Sequence, residues 1–186
     1  MIIKERKFKG VFEIQLEPHE DERGFFMRVY DTQLFEKYKI HKNWVQENHS
    51  LSVGKGVIRG MHFQLPPHSE AKLIRVINAK IYDVFIDLRK GSPTFGQWDS
   101  IKLSAENKKM IYIPRGFAHG FCTLTENCEI LYKMDNYYAP NSEGSIRWDD
   151  PDVGIDWPVS NPIISEKDLK AKSFREFIER YGGLEL

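Results

Sequence analysis

The sequence predicts an all-β protein, a closed or double-sheet antiparallel fold with short peripheral helices. Three observations carry this: many short strand-like stretches, turn residues spaced evenly between them, and helical patterning confined to two brief segments. No internal repeat, low-complexity tract or Gly/Ser linker interrupts the 186 residues, so a single domain over 1–186 is expected, large enough for a full core.

In chain order, the expected strands are 11–16, 24–30, 44–52, 57–64, 72–77, 80–89, 98–103, 109–113, 119–123 and 128–134. The clearest alternation is in 81–88. Tyr82, Val84, Ile86 and Leu88 point one way, and Asp83, Phe85 and Asp87 point to a wet or polar-lined face. Gly91-Ser92-Pro93 then turns the chain. Asp31 is placed to cap a helix over 32–38, with Leu34 and Phe35 facing the barrel. Ser173 and Glu176 have capping-box spacing, and Gly182 and Gly183 stop that second helix.

Composition narrows the function. Hydrophobic residues make up 41% and charged residues 29%, as in an ordinary soluble protein. Lys and Arg total 27, as do Asp and Glu, which argues against a broad nucleic-acid-binding field but leaves room for a local anion pocket. The N-terminal Met1-Ile-Ile-Lys-Glu-Arg-Lys has no apolar run of the signal-peptide kind, and no stretch is long enough to span a membrane. Cys122 and Cys128 read as reduced packing thiols of a cytoplasmic protein.

Two segments stand out chemically. In 57–64 a strand period of two puts Ile58, Gly60, His62 and Gln64 on one face and Arg59, Met61 and Phe63 on the other. Taken alone, His62 is more often a packed histidine than a catalyst. The stretch Ile113-Pro-Arg-Gly-Phe-Ala-His-Gly-Phe121 contains P-x-G-x-x-H, which resembles the second motif of the cupin superfamily and implies a cupin-type antiparallel jelly-roll barrel. Metal-binding cupins pair two histidines in the first motif. Here Gln64 stands at the second position, and an amide is a poor transition-metal ligand. His119 alone cannot hold an ion, and His19, His41, His49 and His68 sit among polar or turn residues, so no metal is expected. Considered singly, Lys72 reads as a solvated strand edge, Tyr132 as a core-rim residue, Ser165 and Asp168 as a helix start, and 21–26 as a charged turn.

Together these segments resemble the nucleotide-sugar 3,5-epimerases of the dTDP-4-dehydrorhamnose 3,5-epimerase type. The likeness runs from Asp21 to Asp168. It includes Asp21-Glu-Arg-Gly-Phe-Phe26, Gln46-Glu-Asn48, Arg59-Gly-Met-His-Phe-Gln64, Asp87-Leu-Arg-Lys-Gly-Ser-Pro-Thr-Phe-Gly96, Leu103-Ser-Ala-Glu-Asn107, Tyr137-Tyr-Ala-Pro140, Ile146-Arg-Trp-Asp-Asp-Pro151, Gly154-Ile-Asp-Trp-Pro158 and Ile164-Ser-Glu-Lys-Asp168.

The resemblance implies proton transfer at C3 and C5 of dTDP-4-dehydro-6-deoxy-D-glucose, in dTDP-L-rhamnose synthesis for cell-surface polysaccharide. It makes His62 the base, Asp168 its orienting carboxylate, Tyr132 the acid on the opposite face, and Lys72 the cation beside the enolate oxygen. Arg23, Arg59, His119 and Lys167 are implied as ligand-contacting cations, and Gln46, Asn48 and Glu143 as further substrate contacts. No cofactor is implied, since only protons move, and a homodimer is, with sites built partly from the neighbouring chain. Arg28 departs from the family, which commonly has a nucleotide-contacting glutamate there; this leaves the nucleotide preference open. Glu47 and Ala71 are milder departures, from aspartate and glycine. Other readings are a C3-only or C5-only epimerase, a keto-sugar isomerase, a non-catalytic sugar-nucleotide-binding cupin and a metal-dependent oxygenase. Gln64 argues against the oxygenase, and the His62, Tyr132 and Asp168 set argues against the pure binder.

Overall fold

A computed structural model describes residues 1–40 and 43–186; His41, expected at the surface, lies outside the described residues. Among the described residues the strands are β1 (Ile2–Glu5), β2 (Phe12–Gln15), β3 (His19–Asp21), β4 (Gly24–Phe26), β5 (Gln46–Ser52), β6 (Val57–Gln64), β7 (Lys72–Asn78), β8 (Lys80–Asp87), β9 (Trp98–Ser104), β10 (Lys109–Ile113), β11 (Phe117–Thr123), β12 (Cys128–Met134), β13 (Glu143–Ser145) and β14 (Ile163–Ile164). The helices are α1 (Thr32–Lys37), α2 (Glu166–Leu169) and α3 (Phe174–Tyr181).

Two sheets form the body. One has the order β1-β2-β10-β7-β12-β5, the other β13-β6-β11-β8-β9, and β14 joins β6 in parallel while every other pairing is antiparallel. The β3–β4 hairpin forms a separate two-stranded sheet. The alternation of the strands decides what lies between the two large sheets. Ile74, Val76, Ile111 and Ile130 point inward from one, and Ile81, Phe85, Leu103 and Phe121 from the other, making one apolar layer. Each such side chain, fully buried, contributes about 1.5–3 kcal/mol.

The outer faces are covered differently. On the first sheet, Phe12, Ile14, Leu73 and Tyr112 are capped by Phe35 of α1 and by Ile40. On the second, Met61, Phe63, Val84, Ile86 and Leu88 are capped by Phe174 and Phe177 of α3. Both expected helices form as their caps require. Asp31 accepts from Leu34 N at 3.2 Å. Ser173 and Glu176 close a reciprocal capping box, and Gly182 ends α3 in the left-handed region at φ 63°.

Several expectations need correction. The strand expected over 24–30 stops at Phe26, and Met27, Val29 and Tyr30 instead pack on the apolar cluster that includes Phe35, Phe12 and Leu73. The face of β8 bearing Asp83 and Asp87 is not wet, since both are fully buried. Strands β1, β3, β13 and β14 were not anticipated; the last two are too short to carry a period. Cys122 and Cys128 are free and buried, and burial, with Cys128 beside it, pushes the Cys122 thiol up to about 11.

Candidate active site

The chemically able side chains line a cavity of about 510 Å³ between the sheets. A second hollow of about 400 Å³ adjoins it and shares His62, Lys72, Tyr132 and Lys167. Both sizes suit small-molecule binding.

One wall is β6 and β11, where His62 lies directly opposite His119. The pairing slips just beyond. His119 faces His62 and Phe121 faces Arg59, so two steps on β11 match three on β6. That extra residue overturns the strict alternation expected for 57–64: Arg59 and His62 line the same cavity, while Met61 and Phe63 pack outward. Glycine makes the slip sterically accessible. Gly60 sits at φ +132°, and a Cβ there would lie 2.5 Å from Gly120 Cα.

Asp168 reaches this wall by way of β14 and α2. Ile163 and Ile164 pair with Val57 and Ile58, and Ser165 then caps α2 by accepting from Asp168 N at 3.1 Å. The Asp168 carboxylate meets His62 Nε2 at 2.6 Å with its side chain only 4% exposed. Burial works to raise this carboxyl, but the hydrogen bond and charge of His62, with hydrogen bonds from Gly60 and Ser165, together outweigh it and hold the group below its ordinary value. An ionised Asp168 takes the Nε2 proton as a hydrogen bond, so the lone pair falls on Nδ1, which has no partner among the described residues. His119 makes a parallel arrangement, with Nε2 2.8 Å from the fully buried Asp83. Burial pushes the Asp83 carboxyl up, against the pull of His119.

The facing wall is β7, β12 and β5. Tyr132 is opposite Ile74 on one side and Asn48 on the other, and Lys72 is opposite Met134, so Tyr132, Lys72, Asn48 and Gln46 share one inner face. Lys72 is no strand edge; β7 is interior to its sheet and the side chain is 12% exposed. Glu143 on β13 holds Lys167 Nζ at 2.6 Å and accepts from the Tyr138 hydroxyl at 3.2 Å. Burial raises the Glu143 carboxyl, but Lys167 brings it below its ordinary value.

Gln64, singled out as an unlikely metal ligand, is 4% exposed and fully engaged. Its amide nitrogen meets His68 O at 2.9 Å, Glu70 Oε2 at 2.9 Å and Tyr137 O at 3.1 Å, while its oxygen accepts from Ala139 N at 2.6 Å. Among the described residues no three His, Cys, Asp or Glu side chains gather as a metal site.

Ten of the twelve positions singled out by resemblance line the first cavity or the hollow beside it: His62, Tyr132, Lys72, Asp168, Arg59, His119, Lys167, Gln46, Asn48 and Glu143. Arg23 and Arg28 do not. Arg23 lies beside the β3–β4 hairpin, 85% exposed and paired with Asp21, and Arg28 lies past its end, 68% exposed and paired with Asp31. Three lining or supporting residues escaped the sequence reading: Glu70 beside Lys72, Asp83 beside His119, and Tyr138 at the rim. The two-residue spacing of Glu70 and Lys72 was a readable signal.

A histidine–carboxylate pair on one wall faces a tyrosine and a lysine on the other, inside a cupin-type barrel of the isomerase class. Residues 5–176 match the family model described as dTDP-4-dehydrorhamnose 3,5-epimerase. The enzyme of that name from Salmonella typhimurium is 49% identical over 173 residues, 92% of this chain and 94% of its own. The Bacillus anthracis dTDP-4-dehydrorhamnose 3,5-epimerase, solved with TDP and pyrophosphate bound, superposes with a TM-score of 0.91 at 40% identity, covering 93% of this chain and 99% of its own. NovW, a 4-keto-6-deoxy sugar epimerase from the novobiocin biosynthetic cluster of Streptomyces spheroides, gives 0.93 at 33% identity, over 99% and 92%. The chain belongs to the dTDP-4-dehydrorhamnose 3,5-epimerase family.

Proposed function

We propose that the chain, acting as one domain over 1–186, epimerises dTDP-4-dehydro-6-deoxy-D-glucose at C3 and C5 to dTDP-4-dehydro-L-rhamnose. The observation that carries this is the opposition of His62–Asp168 on one wall to Tyr132 and Lys72 on the other, across a shared cavity. The C4 ketone acidifies the neighbouring hydrogens. His62 Nδ1 removes one, Lys72 faces the charge that develops on the ketone oxygen, and Tyr132 delivers a proton from the opposite face. Asp168 holds the imidazole in orientation and stabilises its protonated form.

The diphosphate falls to Arg59. His62, Lys72, His119 and Lys167 each have a carboxylate partner, whereas Arg59 bonds only Ser52 Oγ and Leu51 O. Among the described residues it is therefore the cavity cation left to pair with an added anion. His119 and Lys167 flank it, and Gln46, Asn48 and Glu143 provide polar contacts around the outer hollow. The relative solved with TDP and pyrophosphate supports a nucleotide diphosphate as the bound class.

The reading includes a cytoplasmic homodimer. Free, buried thiols fit a reducing compartment. Arg23, Phe25 at 53% exposure and Phe26 at 70% stand on a hairpin that would be marginal alone in water. In a dimer that hairpin reaches across to the partner's cavity, bringing Arg23 to the diphosphate and Arg28 to the nucleotide.

The test is incubation with dTDP-4-keto-6-deoxyglucose in heavy water, followed by NMR of the sugar. Deuterium at both C3 and C5 is expected. Label at one carbon selects a monoepimerase, and saturable binding without label would sink the reading for this substrate.

A further inference from the structure

The geometry points to Glu70 as the residue that positions Lys72 for the reaction, holding its ammonium at the cavity wall and away from the diphosphate. This deepens the epimerase reading and rests on it.

Glu70 and Lys72 are hydrogen-bonded, with side chains only 10% and 12% exposed. Glu70 is itself fixed, because its second oxygen accepts from Gln64 Nε2 at 2.9 Å. Gln64 is in turn pinned to two backbone segments, through His68 O on one side and through Tyr137 O and Ala139 N on the other. The chain of contacts therefore runs from a rigid, buried amide through one carboxylate to one ammonium, and Glu70 lines the outer hollow beside His62 and Tyr132.

Lysine carries four rotatable bonds and about 2 kcal/mol of rotamer entropy, so unheld it samples many positions. An ammonium largely covered by protein is also stabilised by a counter-charge. Glu70 meets both needs. Its negative charge further disfavours a phosphate at Lys72, leaving Arg59 as the anion's landing point and Lys72 for the ketone oxygen. Glu70 takes no proton from substrate; it acts through Lys72.

The test compares Glu70→Gln, Lys72→Met and the double variant by deuterium exchange into the sugar. E70Q should lower kcat about tenfold with KM within about twofold, and should cost less than about twofold more when Lys72 is already methionine. Glu70→Asp, which keeps the charge, should recover part of the rate. Equal losses from E70Q in both backgrounds, or no loss at all, would overturn the proposal. A second measurement needs no substrate. Trace acetylation read by mass spectrometry should modify Lys72 about tenfold faster, relative to exposed Lys102, in E70Q than in the native protein, and E70D should stay near native. An unchanged ratio in E70Q overturns the hold on Lys72. Should the native protein exchange no sugar hydrogens, the epimerase reading fails while acetylation still decides Glu70.

Discussion

At the residue scale, the proposed role of His62 as base rests on what surrounds it. Asp168 ties up Nε2 and leaves Nδ1 for the cavity. His62→Asn should therefore lower exchange about 10²–10⁴-fold while sparing nucleotide binding, measured by NMR and calorimetry respectively. Asp168→Asn removes the anion that stabilises the imidazolium and should cost about 10²-fold or more. It also carries a stability signature. The folded Asp168 carboxyl sits below its unfolded value, so its contribution is fully present above the ordinary carboxylate range and is lost as pH falls through the depressed folded value. The gap in Tm between native protein and Asp168→Asn should thus be widest near neutrality and shrink below about pH 4. The identities of His62, Lys72, Tyr132 and Asp168 as a set were legible through resemblance. Asp83 beside His119 was not, because a neighbouring strand brings its partner, whereas Glu70 lies two residues from Lys72 and that spacing could have been read.

At the element scale, β6 departs most from its sequence pattern. A period of two sends Arg59 to the face opposite His62, yet the slipped pairing with β11 brings both to one cavity. Gly60 and Gly120 permit the close crossing, since a side chain on either meets the other strand's backbone. Gly60→Ala should cost on the order of 2–3 kcal/mol in urea unfolding and lower activity by displacing His62. A native-like midpoint with full activity would show that the slip does not depend on this glycine. The helix ends give a smaller, local effect: Ser173→Ala should cost about 1 kcal/mol by removing one half of the capping box. Those caps were readable because a cap is a contact within four residues. The strand expected over 24–30 was misjudged past Phe26 because Met27, Val29 and Tyr30 pack on an apolar cluster built mostly from distant strands, among them Phe12, Leu73 and Tyr112.

At the scale of the whole molecule, two sheets set the distance and opposition on which the proposed proton transfer rests. His62 and His119 come from one sheet and Lys72 and Tyr132 from the other, and no single strand contributes to both walls. The exposed hairpin extends the argument to a dimer. Arg23→Ala and His62→Asn proteins should each be poorly active, but mixed under subunit exchange they should recover about a quarter of the native rate. Half the dimers are then mixed, and each mixed dimer has one site with both residues intact. A mixture no better than the average of its parts would show that the hairpin serves its own chain.

By itself the sequence determined the all-β class, most strand positions, both capped helices and the residue types able to move protons. The class, strands and helices follow from side-chain period, turn chemistry and short-range hydrogen bonds; the proton-moving set was implied by family resemblance. Only the tertiary structure decided that Arg59 and His62 share a face, that Glu70, itself anchored by Gln64, bonds Lys72, and that Arg23 and Arg28 stand clear of the cavity in their own chain. The physical reason is that strand register and the stacking of sheets are settled between segments far apart in sequence, and one extra residue in a strand reverses which way a side chain points.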